Sequence, residues 1–208
     1  MSSSSFNTNV FINCPFDEEY KTFLHPMLFT IVYLGLHPQI AQTTDSGNTR
    51  MERILELIKN SKYSIHDLSR SVSSAAGEIA RFNMPFELGL DIGIRHASSR
   101  SKFSQKKSLI VEQDRFRYRK ALSDISGNDI ASYEGSAERL VHIVRHWFTT
   151  IIHPKQPSGP FIWEEFNEFL AYFEALTKEE GYTEDETELI PTNEIIYWMK
   201  EWVKGRKE

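Results

Sequence analysis

Short apolar runs alternate with amphipathic stretches along the first three quarters of the chain. Apolar residues at helical spacing, such as Met51, Ile54, Leu55 and Ile58, fill several of the intervals between the runs. The runs are typical of buried strands, the last of them weak, and they lie at 9–15, 37–44, 63–69, 107–113 and 130–134. Strands that alternate with helices predict an α/β fold, a parallel sheet with helices on both faces.

The pattern changes after residue 152 and divides the chain. Residues 153–160, "HPKQPSGP", contain three prolines and a glycine and predict a linker. Two acidic helices, at about 161–179 and 191–205, are predicted in the extension 161–208. We therefore expect an α/β domain at 9–152 with a helical extension, and a flexible polar tail at 1–8.

The helix predicted at 17–34 contains Pro26, which predicts a kink or a late start, and Gly35 should end it. A further helix should open near Met84, with Asn83 as its N-cap and Pro85 in its first turn. Gly89 and Gly93 in this helix suggest close packing against the sheet.

The same two regions also differ in net charge. Residues 1–160 carry 19 Lys and Arg against 16 Asp and Glu, a balance of +3, whereas residues 161–208 carry 5 against 13, a balance of −8. Neither region has the dense basic stripe of a duplex nucleic-acid binder. The aromatic content of the extension suggests packing within the chain or, alternatively, a homo-oligomer or activating-protein interface.

The location predicted from composition is cytoplasmic. The sole cysteine, Cys14, excludes an internal disulfide and fits a reducing compartment, with a buried thiol as the expected state. No apolar run reaches the roughly 18 residues of a membrane span, and the N-terminus lacks signal-peptide features. No cofactor motif of the Walker or GxGxxG type occurs, and we expect no metal site, since His142 and His146 lack further ligands.

Candidate chemistry falls on the segments that follow the predicted strands, where open α/β sheets bind ligands. Glu87 in "FNMPFELGL" would point from the second turn of its helix towards this edge. A partly desolvated carboxylate there suits attack on an anomeric carbon or support of an oxocarbenium ion. The alternative is that Glu87 only complements the helix dipole.

The stretch "HDLSR…FNMPFELGLDIG" resembles nucleoside 2-deoxyribosyltransferases and TIR-like nucleotide-binding proteins. The stretches "VFINCPFD" and "DSGNTRMERILELI" resemble a bacterial TIR-like group that is associated with anti-phage defence. The resemblance covers roughly residues 9–150 and implies a flavodoxin-like fold. It also implies cleavage of an N-glycosidic bond, with Glu87 as nucleophile or stabiliser. In the transferases an acid stands six residues before that Glu, where this chain has Arg81. An Arg favours a phosphate-bearing ligand.

The predicted site therefore combines Glu87 and Asp67 as catalytic residues with a nucleotide-binding set. Asp67 would bind ribose or orient Glu87, or alternatively cap the turn after its strand. Phe16 would stack on a base or lie in the core, and "DSGNTR" could bind an anion or form an ordinary turn. The nucleotide-binding set is Asn13, Phe16, Asp17, Asp45, Ser46, Arg50, Ser69, Arg70, Arg81 and Asn83.

The function expected from these residues and the resemblance is N-glycosidic cleavage of a nucleotide, NAD or a related (deoxy)nucleotide, by a defence-type effector. NAD would be a substrate rather than a cofactor. The competing hypothesis is a non-catalytic module that binds a nucleotide signal or acts as a scaffold.

Overall fold

The computed structural model describes residues 3–41, 49–71, 80–120, 122–125, 127–152 and 155–207. Five parallel strands form one sheet in the order β2-β1-β3-β4-β5. They are β1 Asn9–Asn13, β2 His37–Ile40, β3 Tyr63–Asp67, β4 Lys107–Glu112 and β5 Ile130–Ser132. This is the flavodoxin-like strand order, so the predicted α/β parallel-sheet fold is confirmed.

Helices occupy most of the remaining chain. They are α1 Ser3–Phe6, α2 Lys21–Tyr33, α3 Arg50–Lys59, α4 Asn83–Ala97, α5 Ser101–Ser104, α6 Ala137–Ile151, α7 Gly159–Glu179, α8 Glu184–Glu188 and α9 Thr192–Lys207. Short 3₁₀ segments at Glu18–Tyr20, Arg117–Lys120 and Ser123–Ile125 complete the regular structure. The predicted helix at 17–34 begins later than residue 17, because Glu18–Tyr20 is a 3₁₀ segment.

Helix α3 shows how local sequence fixes a helix start. The Thr49 hydroxyl accepts a hydrogen bond from the backbone N–H of Glu52, and the Glu52 carboxylate accepts one from the backbone N–H of Thr49. This reciprocal capping box satisfies two backbone donors that the helix itself leaves unpaired.

The start of α4 differs from the prediction. Asn83 is the first helical residue rather than the N-cap, and Phe82, which precedes it, provides no side-chain cap.

Gly89 and Gly93 also differ from expectation. Both are exposed, and a Cβ atom built on either would meet nothing within 4 Å in the described part of the chain. These glycines therefore do not bring α4 close to the sheet.

The chain forms two compact units. The sheet unit comprises Met1–Lys21 and Leu36–Ser136, and the helical unit comprises Thr22–Gly35 and Ala137–Glu208. The helical unit thus joins α6 and all but the first residue of α2, both of which fall in the predicted α/β region 9–152, to the predicted extension.

The sheet unit has apolar clusters on its α3 and α4 side. One consists of Phe11, Ala41, Ile54, Leu57 and Ile58, with Leu90 and Ile94 packed against it. The other consists of Leu68, Met84, Leu88, Ile110 and Tyr118. Residues 3–8, predicted as a flexible tail, contain the helical turn α1, and Phe6 accepts a backbone hydrogen bond from Lys62.

The helical unit is built on aromatic contacts. The Phe29 ring of α2 lies 5.5 Å from the rings of both Phe166 and Phe169 on α7, and Trp202 of α9 lies 6.3 Å from Phe169. Residues 156–157 of the predicted linker are bound by α6. The guanidinium of Arg145 donates hydrogen bonds to the carbonyl oxygens of Gln156 and Pro157.

Close packing explains one glycine in this unit. A Cβ atom on Gly159 would lie 2.8 Å from the His142 ring, so a larger residue there would force this ring to move. The described helices include none that is long and apolar enough to cross a bilayer.

Candidate active site

The candidate site lies where β1 and β3 end, at the switch in strand order. Cys14 follows β1 and is buried, and Asp67 closes β3. Burial raises the pKa of the Cys14 thiol, and the charges of Asp67, Glu87 and Asp17 raise it further. The charges of three carboxylates from different segments therefore act on one buried thiol at the sheet edge, which is the place where such folds bind ligands.

Glu87 is a buried carboxylate to which the described residues provide no hydrogen-bond donor. It is only 4 % exposed, and no side chain or backbone group in the described part of the chain donates to it. Burial raises its pKa to about 6, although the positive charge of Arg50 opposes the shift. Arg50, the first residue of α3, is itself exposed. A carboxyl group with this pKa is mostly ionised at neutral pH and can still take up a proton.

Asp67 differs from Glu87, because both of its carboxylate oxygens accept hydrogen bonds within the protein. One oxygen accepts the backbone N–H of Ser69 at 2.7 Å, and the other accepts the Tyr20 hydroxyl at 2.5 Å. The side chain is fully buried, and burial raises its pKa while these hydrogen bonds oppose the shift. The contacts are those of the turn-capping alternative, and ribose binding by Asp67 stays a prediction.

Asp17 joins two of the predicted phosphate-binding arginines. Its carboxylate lies 3.1 Å from Nη1 of Arg81 and 3.7 Å from Nη2 of Arg70, which also contacts Glu19 at 2.8 Å. Both arginines are partly exposed, and the backbone N–H of Arg81 donates to the carbonyl of Arg70. The two guanidinium groups thus converge on one carboxylate next to the site.

Asn13 is a buried residue whose side-chain amide bonds to other groups of the protein. The chain buries Asn13 to 2 % exposure, and its Nδ2 donates to the Met84 carbonyl at 2.8 Å and contacts His66 Nδ1 at 2.9 Å. Because the Met84 carbonyl can only accept, it fixes the amide orientation, so His66 Nδ1 is the acceptor and Nε2 carries the proton. Asn13 thereby ties β1 and β3 to the first turn of α4.

A buried ionic group continues this network. His66 Nε2 lies 3.0 Å from Asp91 Oδ2, Ser64 donates to the same oxygen at 2.5 Å, and Lys106 Nζ lies 3.1 Å from Asp91 Oδ1. Lys106 also donates to the carbonyl oxygens of Ile58 and Ser61. Although burial alone would raise it, these partners hold the pKa of Asp91 well below its usual range.

Sequence reasoning missed a further buried carboxyl group at this edge. Glu112 ends β4 and is 1 % exposed; one of its oxygens accepts the Tyr118 N–H at 2.9 Å, while the other has no partner among the described residues. Burial raises its pKa to about 7, with the hydrogen bond from Tyr118 opposing the shift. Its place at the end of an apolar run was the signal that could have identified it.

The other predicted residues do not all come together. Phe16 is half-buried, Ser69 is buried against Asp67, and Asn83 is exposed. Asp45 and Ser46 lie outside the described residues. Two tyrosines that were not predicted, Tyr20 and Tyr133, interact with Asp67, and the charge of Asp67 adds to burial in raising the pKa of both.

Within the described residues, no group of three His, Cys, Asp or Glu side chains could hold a metal ion. Comparisons of the chain with protein-family models, curated proteins and solved structures gave no match. The likeness to TIR-like proteins and nucleoside deoxyribosyltransferases therefore stays a prediction from the motifs.

Proposed function

We propose that the protein cleaves the N-glycosidic bond of a nucleotide, NAD or a related (deoxy)nucleotide, with Glu87 as the central catalytic group. The observation that carries this proposal is the state of Glu87. Its carboxyl group is buried at the sheet edge without a hydrogen-bond donor from the described chain, and its pKa is raised to about 6. Such a group suits charge development in a bound ligand better than a structural role.

The chemistry follows from that environment. As the bond between the anomeric carbon and the base nitrogen breaks, positive charge develops on the sugar. The ionised Glu87 either stabilises this charge or bonds to the anomeric carbon, and water or another acceptor then completes the reaction. Because the carboxylate has little water around it, its electrostatic effect on the transition state is greater than in bulk solvent.

The arginine pair supports a phosphate-bearing substrate. Arg70 and Arg81 converge on the Asp17 carboxylate, so both guanidinium groups lie within reach of one anionic group. A substrate phosphate would accept from the same guanidinium groups, which match phosphate oxygens as well as carboxylate oxygens. Binding should then weaken as salt concentration rises.

Asp67 is assigned an indirect part in this proposal. Through Tyr20 and Ser69 it fixes the segments that follow β1 and β3, from which Asp17 and Arg70 extend. The role as a defence effector, held inactive until a trigger arrives, rests on the resemblance described above.

Product analysis tests the proposal directly. The protein is incubated with NAD and, separately, with deoxynucleotides, and released nicotinamide or free base is measured by chromatography. Glu87→Gln should lower turnover by at least ~100-fold, the scale of losing one key electrostatic group. Glu164→Gln, at an exposed position of α7, is the control and should retain activity. Near-normal turnover in Glu87→Gln contradicts the assignment.

A nucleotide sensor is the second candidate, and Arg81 favours it. Where the transferase pattern carries an acid, this chain has a cation that is paired with Asp17. A sensor would bind the nucleotide saturably, measured by calorimetry, without releasing base. Arg81→Ala would weaken that binding, whereas Glu87→Gln would leave it nearly unchanged.

A further inference from the structure

Helix α4 has an unusual distribution of charge. Its only acidic residues, Glu87 and Asp91, are both buried, and its basic residues begin at Arg95 in the last turn. Phe82 and Phe86 are instead exposed, with 67 % and 54 % of their residue surface accessible. A helix that is apolar on its solvent side usually has a second element packed against that side.

The exposed residues form one continuous strip. At about 100° per residue, Phe82, Phe86, Gly89 and Gly93 project within about 60° of one another, opposite the buried Glu87 and Asp91. We call this strip the outer face of α4. Open space lies over both glycines, because a Cβ atom on either would meet nothing within 4 Å in the described part of the chain.

The outer face is complementary to itself. Phe82 and Gly93 lie at equal distances in the chain on either side of the midpoint between Glu87 and Leu88, and Phe86 and Gly89 are likewise symmetric about it. When two copies of α4 pair antiparallel about a two-fold axis through that midpoint, each phenylalanine meets a glycine of the other copy. A two-fold contact requires this kind of self-complementarity.

We propose that the outer face of α4 is a homodimer contact, in which Phe82 and Phe86 of one copy pack over Gly93 and Gly89 of the second. Charge favours a second copy as the occupant, because none of the four residues of the strip is charged, and the exposed His96 lies beyond Gly93, past the last of the paired positions. Arg95 projects about 150° away from the strip. Glu87 belongs to the same helix but projects to its opposite side, so the contact leaves the candidate site of each copy uncovered.

The contact area sets the expected strength. Two helices of this length bury less than the roughly 1,200 Å² of a standard interface, so the dimer should be weak and depend on concentration. Sedimentation velocity of the full chain between about 5 and 500 µM should show monomer converting to dimer.

Gly89→Arg places a long charged side chain on the strip and should abolish the dimer at every concentration, with an unchanged circular dichroism spectrum because the position is open. Phe86→Ser, also at an exposed position, is the second variant and should have the same effect. Leu189→Arg, at an apolar position of the helical unit that is 78 % exposed, is the matched control and should leave the dimer intact. Absence of any dimer, or a dimer that survives Gly89→Arg or is lost in Leu189→Arg, overturns the proposal.

Disulfide trapping tests the register. In the proposed pairing the Gly89 Cα atoms of the two copies lie about 5–6 Å apart, within disulfide range, whereas those of Gly93 lie about 17 Å apart. Since the native Cys14 is buried, Gly89→Cys should give a covalent dimer under mild oxidation, and Gly93→Cys should not. Cross-linking of Gly93→Cys but not Gly89→Cys overturns the antiparallel arrangement.

Discussion

The two units of the molecule fill their interiors with different chemistry. The sheet unit buries ionisable side chains near its α4 face and carboxyl edge, including Asp67, Glu87, Asp91, Lys106 and Glu112. The helical unit buries aromatic rings, and its one buried charged residue among those described, Glu165, is paired with Arg206. Buried charge costs free energy unless it is paired, so the difference separates a unit with a candidate site from a unit built for packing.

The largest effect on stability is expected from removal of the C-terminal helices. A chain that ends at Pro160 loses Ile162, Phe166, Phe169 and Phe173, whose burial contributes roughly 6–12 kcal/mol. That is comparable to the whole stability of a typical domain. We expect the truncated protein to aggregate or lose its cooperative thermal transition, as followed by calorimetry.

Single substitutions sharpen the same test. Phe169→Ala at a fully buried position should cost about 3–5 kcal/mol, measured by urea unfolding. Leu170→Ala, at the neighbouring exposed position, is the control and should change stability little. A truncated protein that stays folded and soluble would show that α7 to α9 are dispensable and that residues 161–208 are free to serve as a partner interface.

The next test concerns the buried ion pair of the sheet unit. Lys106→Met leaves the Asp91 carboxylate buried without its cation, which should cost about 3–5 kcal/mol in the free energy of unfolding. Arg206→Met in the helical unit is the matched change. It should cost clearly less, because Arg206 is 41 % exposed and water can replace it. Equal losses in urea unfolding would remove the distinction between the units.

The smallest expected effect is the pH dependence that Glu87 contributes. Its pKa of about 6 lies above the ordinary value of 4.5, so the folded state holds the proton more tightly than the unfolded state. The resulting stabilisation is complete below about pH 4.5 and is lost as pH rises through about 6, a total of about 2 kcal/mol.

Glu87→Gln removes this dependence. The variant should match the wild type near pH 4 and be more stable by up to about 2 kcal/mol at pH 8, measured by urea unfolding at each pH. Glu164→Gln, on the exposed face of α7, should follow the wild-type curve. If the free energy of unfolding of Glu87→Gln followed the same pH dependence as that of the wild type, burial of the Glu87 carboxylate would not destabilise the protein at high pH.

The sequence by itself determined the strands, most helices and the fold class, because these depend on local periodicity and on caps such as Thr49. It also placed Asp67 and Glu87 near one sheet edge, because parallel strands bring their carboxyl ends together. The sequence did not determine which positions face solvent. Only the tertiary structure places Gly89 and Gly93 on the outer side of α4 and the Asn13 side chain in the interior.

The partners of charged residues were likewise decided by the tertiary structure. Arg81 pairs with Asp17, and Lys106 pairs with Asp91, across long separations in the chain. The same holds for the union of α2 and α6 with α7 to α9 into one unit. The physical reason is that hydrophobic periodicity is a local property of the chain, whereas burial, charge pairing and desolvation depend on which distant segments pack together.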